Sequence, residues 1–425
     1  MIKNPSLVEA QLARHSEWHY YKTITVDHLT DFQPGRIPVG KFGGRLDRQE
    51  TATGFFHAKK LEDRWVLVDP EGYHFFGLGV NCVSPSDDPP VSCPAFERKF
   101  GNEQEWVVET RKLLMDECHF NSLGNWSHEW RILKEMGQPV PYTVSLDVML
   151  SFAKKKNLYE ASYGSTNMEG DVLPVFHPSL PDHIDEVAKE LLATRDDPWL
   201  FGIFSDNEIP FFEEGIIHRY LGRGPEDPGA KAARAWLEER GIGEGDILPA
   251  HDREFTLLVL SRYFKLVHDA IRKYAPGHMF LGSRFHKSIL IQTSAYEAAG
   301  PYCDVVSINL YHRWNIDQKH ITEMAEFAGK PIMITEWYAK GEDSGLRNVS
   351  GAGWLVRTQR DRGLFYENFT LSLLRNPHIV GWHWFRYSDE GPLQFRQRAS
   401  NKGLLDAWYN PYTELVASVG NINKK

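Results

Sequence analysis

Leu200-Phe-Gly-Ile-Phe-Ser-Asp-Asn-Glu208 reads as a buried strand with chemistry at its end. Its apolar residues run without polar alternation, which suits a parallel strand covered on both faces. The run closes on a carboxylate, a group that is costly to bury without purpose. Similar runs recur at 75–81, 119–125, 141–147, 279–285, 304–310, 331–337 and 379–385. Helical patterns lie between several of them. Ile184, Val187, Ala188, Leu191 and Leu192 fall on one helix face, as do Leu257, Leu260, Phe264, Val267 and Ile271. Eight strands with intervening crossovers predict an α/β fold, a (β/α)8 TIM barrel. The rival is an open doubly wound sheet. It often carries Gly-x-Gly-x-x-Gly after its first strand, and this chain has none.

The flanking segments fit around that frame. Residues 1–58 are polar, aromatic and turn-rich, with Gly40, Gly43 and Gly44, and are expected to form an N-terminal extension packed on a catalytic barrel of 59–425. Trp65-Val-Leu-Val-Asp-Pro-Glu-Gly72 reads as a strand running into a turn. The span of about 209–254 is long for a strand-to-helix loop. It is expected to be an insertion after strand four, with a helix near 230–240, on the face where barrel loops carry function.

Composition excludes several classes. The 425 residues are 42% apolar and 25% charged, which argues against wholesale disorder. Net charge is -9 with no basic run, so a nucleic-acid partner is not expected. No apolar stretch reaches the roughly 18 residues of a membrane-spanning helix. The N-terminus lacks the apolar middle of a secretory signal, so a cytoplasmic or periplasmic protein is expected. Cys82, Cys93, Cys118 and Cys303 show no Cys-x-x-Cys spacing and read as mostly buried thiols. His128-Glu129 lacks the second His of His-Glu-x-x-His, and no Gly-x-Ser-x-Gly is present. Neither a metal nor a cofactor is expected. The sequence does not specify an oligomeric state.

Two carboxylates carry the chemistry. Glu208 follows strand four, and Glu336 ends strand seven in Met333-Ile-Thr-Glu-Trp337. Barrel strands converge at their C-terminal ends, so residues remote in sequence can meet there. Two carboxylates about 5–5.5 Å apart suit retaining glycoside hydrolysis. One stays protonated to serve the leaving oxygen, and the other stays charged to attack. Each motif alone is a weak signal, because Asp-Asn-Glu after a strand is usually a helix N-cap. Their joint placement at the ends of strands four and seven makes the case.

Asn207-Glu208 and Glu336 at those positions resemble clan A glycoside hydrolases. Trp65–Gly72, Phe120-Asn-Ser-Leu-Gly-Asn-Trp-Ser127, Phe201–Glu208, Gly381-Trp-His-Trp-Phe-Arg-Tyr387 and Asn401-Lys-Gly-Leu-Leu-Asp406 resemble β-agarases of glycoside hydrolase family 50 and agarase-like relatives. The similarity covers about residues 54 to 415. Tyr338-Ala-Lys-Gly-Glu-Asp-Ser-Gly345 departs from the Phe/His-rich stretch of the family.

The resemblance implies a retaining β-glycosidase acting on β-galactosidic bonds of an algal-type galactan or its oligosaccharides. It implies Glu208 as acid/base, Glu336 as nucleophile and Asn207 on the sugar 2-hydroxyl. Tyr311 would hydrogen-bond the nucleophile, and Trp384 would floor the sugar at the cleaved bond. Asn81, Asn125, Trp126, Arg284 and His286 lie at or past other strand ends and are candidates to line the pocket. Lys340 either reaches substrate or pairs with Asp343. The alternatives are a β-glycosidase of different sugar specificity, a non-catalytic carbohydrate-binding barrel, and a metal-dependent barrel hydrolase. The last needs a His/Asp cluster where this chain has Asn81, Asp206/Glu208, Arg284/His286 and Tyr311.

Overall fold

The computed structural model describes residues 4–12, 16–30, 32, 35, 37–85, 94–127, 130–160, 167–389 and 399–424, without the side chains of Tyr159, Glu160, Asn167 and Glu169. Cys93, His128 and Glu129 lie outside the described residues. The chain is mixed α/β, and its central strands pair in parallel. It divides into two compact units. One comprises Met1–Val144, Leu310–Gln318 and Ile334–Lys425; the other comprises Ser145–Asn309 and Lys319–Met333.

In the first unit the central strands follow the order 142–144 of Tyr142–Ser145, Ser122–Leu123, Gly77–Val80, Ile379–Trp384 and then 334–336 of Ile332–Glu336. Leu123 pairs with Tyr142, Gly79 with Ser122, and Trp384 with Val80. Every side chain of Ile379–Trp384 is buried, as expected of a parallel strand covered on both faces. The N-terminal residues supply antiparallel strands. Ser6–Gln11 pairs with His19–Thr23 on one side and Trp354–Val356 on the other. A further sheet orders Arg45–Gln49, Tyr73–Phe75, Arg64–Val68 and His57–Leu61. The core of this unit is aromatic. Trp337 lies 4.6 Å from Phe369 and 5.1 Å from Trp384, ring centre to ring centre.

In the second unit Leu200–Phe204 is buried at all five positions. Ile203 bridges Phe280 in parallel, and Phe285 bridges Ile308 of the strand Val306–Asn309. The segment 279–285 was expected to be a continuous strand but makes only these isolated bridges. Gly282 (φ 79°) and Arg284 (φ 53°) turn the backbone out of the extended region twice within seven residues. His119 (φ 54°) likewise leaves only Ser122–Leu123 as strand in the expected run 119–125.

The helices follow the apolar faces closely. Pro249–Tyr274 buries Leu260, Phe264, Val267 and Ile271 on one side. Leu180–Ala188 buries Ile184 and then tightens into the 3-10 segment Lys189–Thr194. The tighter winding of about three residues per turn keeps Leu191 inside and turns Leu192 out, contrary to the expected stripe. The helix expected near 230–240 is Pro228–Glu239. Asp227 caps it by accepting from Gly229 N at 2.8 Å and Ala230 N at 3.1 Å. Among the described residues no helix is long and apolar enough to cross a membrane. Cys118 and Cys303 are buried thiols, and Cys82 is half-buried.

Candidate active site

In the first unit Glu336 ends its strand with only 5% of its surface exposed. A charge held there needs a donor. The Tyr311 hydroxyl donates to its Oε2. Asn81 is fully buried and donates from Nδ2 to the carbonyl of Thr335 at 2.8 Å, which fixes the backbone just before Glu336. The other atom of that amide, Asn81 Oδ1, finds no hydrogen-bond partner among the described residues. The same holds for both amide atoms of Asn125 and for the indole N–H of Trp384. Enclosed polar groups of this kind cost about 1–3 kcal/mol each when unmatched.

The aromatic residues divide by exposure. Trp384 is fully buried, its ring 5.5 Å from Tyr366 and the Arg362 guanidinium 5.7 Å away. Trp126 is half-buried and meets Phe385 edge-on at 6.2 Å. Its φ of 58° puts a non-glycine residue in the left-handed region, at a cost on the order of 1 kcal/mol or more. Tyr311, Tyr338 and Phe385 form a ladder at 5.3 and 5.8 Å. Lys340 does not pair with Asp343. It donates to the carbonyls of Ser350 and Gly351, while Asp343 accepts from Gln359. Burial pulls the Lys340 amine down to about 8, helped by the charge of Lys402.

In the second unit Glu208 is 8% exposed and also sits at positive φ (49°). Asn309 reaches it across 101 positions of sequence: Nδ2 donates to Glu208 Oε1 at 2.9 Å and to Asn207 Oδ1 at 3.1 Å. His286 places Nδ1 3.2 Å from the Asn309 carbonyl. Arg284 is fully buried with its guanidinium 5.4 Å from the Phe204 ring. Asp206 anchors the turn. It accepts from Tyr263 Oη at 2.6 Å, Met149 N at 2.8 Å and Leu150 N at 3.3 Å. Burial pushes its carboxyl up to about 8, opposed by those donations.

Asn309 and Tyr338 were not singled out from the sequence. Asn309 stands two residues before Tyr311, at the polar end of an apolar run, and that position was its only signal. Among the described residues no group of three His, Cys, Asp or Glu is placed to hold a metal ion.

No family model matches the chain. It is similar to the crystal structure of BpGH50, with a TM-score of 0.85 and 30% identity over 99% of this chain and 94% of that one. It is also similar to β-agarase B of Vibrio sp. (strain JT0107), 25% identical over 93% of this chain and 50% of the agarase. β-Agarase A of the same organism is 30% identical over 88% of this chain and 46% of its own length. The chain thus spans about half the length of the curated relatives it matches.

Proposed function

This chain belongs to glycoside hydrolase family 50, and from that premise we propose that it hydrolyses β-galactosidic bonds in an algal-type galactan or its oligosaccharides. The full proposed architecture is a closed (β/α)8 barrel on 59–425, with 1–58 as an extension and about 209–254 inserted after strand four. The parallel register of the first unit and the two bridges of the second support it.

The proposed reaction is a double displacement. Glu336 attacks the anomeric carbon while Glu208 gives its proton to the departing oxygen. Glu208 then takes a proton from water, and that water releases the sugar from Glu336 with net retention. The observation that carries the reading is the same at both strand ends: a nearly buried carboxylate meets a neutral donor, Tyr311 on Glu336 and Asn309 on Glu208. The Tyr311 donor steadies the charge that Glu336 needs to attack, while the uncharged Asn309 amide holds Glu208 in place and leaves it able to carry a proton. Asn207 would take the sugar 2-hydroxyl. Trp126, which is half-buried, would offer a ring to the sugar's C–H face, Arg284 and His286 would shape the pocket, and the fully buried Asn81, Asn125 and Trp384 would back its wall. Lys340 would act on the wall of the pocket.

Glu208→Gln and Glu336→Gln are each expected to cut turnover on agarose oligosaccharides at least about 10³-fold while the fold survives. Reducing-end release measures the loss, and full activity in either variant removes the assignment. NMR of the first-formed product is expected to show retained configuration.

A further inference from the structure

One amide nitrogen serves both members of the Asn207–Glu208 pair. Resting on the assignment of Glu208 as acid/base, we infer that Asn309 is a positioning residue that fixes which Glu208 oxygen carries the catalytic proton and which end of Asn207 faces substrate. A side-chain NH2 can only donate. Glu208 Oε1 accepts one of its hydrogens, and a carbonyl-type oxygen accepts more strongly than the hydroxyl oxygen of a protonated carboxyl, so the contact favours the acid proton on Oε2. Asn207 Oδ1 accepts the other hydrogen. The Nδ2 of Asn207 is thereby turned the opposite way, as a donor for a hydroxyl of the sugar.

Asn309 is well placed to hold this arrangement. It is fully buried, ends the strand Val306–Asn309, and donates its backbone N–H to Phe285 O at 2.8 Å. Its carbonyl faces His286 Nδ1. The side chain therefore leaves a backbone pinned on both sides and has little freedom to release Glu208. Its burial keeps it from touching substrate, so any effect passes through Glu208 and Asn207.

Two variants separate this role from packing. Asn309→Asp preserves shape and replaces the donor with an acceptor. Asn309→Ser removes the amide and leaves a small void. Thermal melts by circular dichroism check that each folds. The substrates are an agarose tetrasaccharide, whose leaving sugar needs the proton, and dinitrophenyl β-galactoside, whose leaving group does not. On the tetrasaccharide, kcat/KM is expected to fall about 10²-fold or more in Asn309→Asp and about tenfold in Asn309→Ser. On the aryl galactoside both losses should be at least about fivefold smaller, because general-acid help is not needed there.

Pure packing predicts the opposite order, with Ser worse than Asp, and equal losses on both substrates. Either result overturns the inference. Glu208→Gln in the same assays tests the underlying assignment. If it loses nothing on the tetrasaccharide, the acid/base reading fails. A crystal structure of Asn309→Ser then decides the contact without any activity. Asn207 or Glu208 displaced from its present position supports the inference, and both unmoved overturn it.

Discussion

Lys340 shows what burial does to a single ionisable group. The residue is 2% exposed, and the pKa of its amine falls from 10.5 to about 8, first through desolvation and then through Lys402. Below pH 8 the amine is charged in both folded and unfolded chains, so the folded state bears the whole penalty. Between pH 8 and 10.5 the folded chain has already released the proton that the unfolded chain still holds, and stability rises with pH. Lys340→Met removes that dependence. In urea titrations its stability relative to the parent is expected to drop by about 3 kcal/mol from pH 8 to 10.5. A difference that stays flat over this window would contradict the burial argument. The lost donations to Ser350 and Gly351 add a constant offset and leave the slope alone. Glu208 and Glu336 were legible at this scale because a carboxylate ending an apolar run is conspicuous. Asn309 was not, because an amide at the same kind of position is commonplace and its value depends on what lies opposite.

At the scale of elements, close approach decides more than propensity does. The helices Gln359–Leu374 and Thr413–Asn423 pack together in the first unit. Gly420 on the second lies so near the Glu117 carbonyl that an added methyl group would collide with backbone. Backbone cannot swing aside as a side chain can. Gly420→Ala is therefore expected to lower stability by about 1–3 kcal/mol despite alanine's better helix propensity. Chemical denaturation measures it, and a neutral or stabilising result would show that the helix shifts freely. The run 279–285 teaches the complementary lesson. Its apolar content matched a strand, yet positive φ at Gly282 and Arg284 breaks the extended backbone. Apolar pattern reports burial, and a strand and a buried turn bury the same residues.

For the whole molecule, the proposed activity carries a thermodynamic signature independent of turnover. A ligand that binds only the folded chain stabilises it by mass action. Glu336→Gln holding an agarose tetrasaccharide at about one hundred times its Kd should gain about 2.7 kcal/mol, seen as a rise of a few degrees in Tm. No shift with any galactan oligosaccharide would count against a galactan substrate.

Sequence alone determined the mixed α/β class, the parallel buried strands, the long amphipathic helix and the two strand-end carboxylates. These are written in local periodicity and in the cost of placing a charge beside apolar residues. Only the tertiary structure decided that Asn309 serves both Asn207 and Glu208, that Lys340 turns to carbonyls and not to Asp343, and that Trp384 is enclosed while Trp126 is half-buried. Hydrogen-bond partners and burial are set by where the chain folds back on itself. Asn309 and Glu208 stand 101 residues apart, and no pattern local to either one encodes the other.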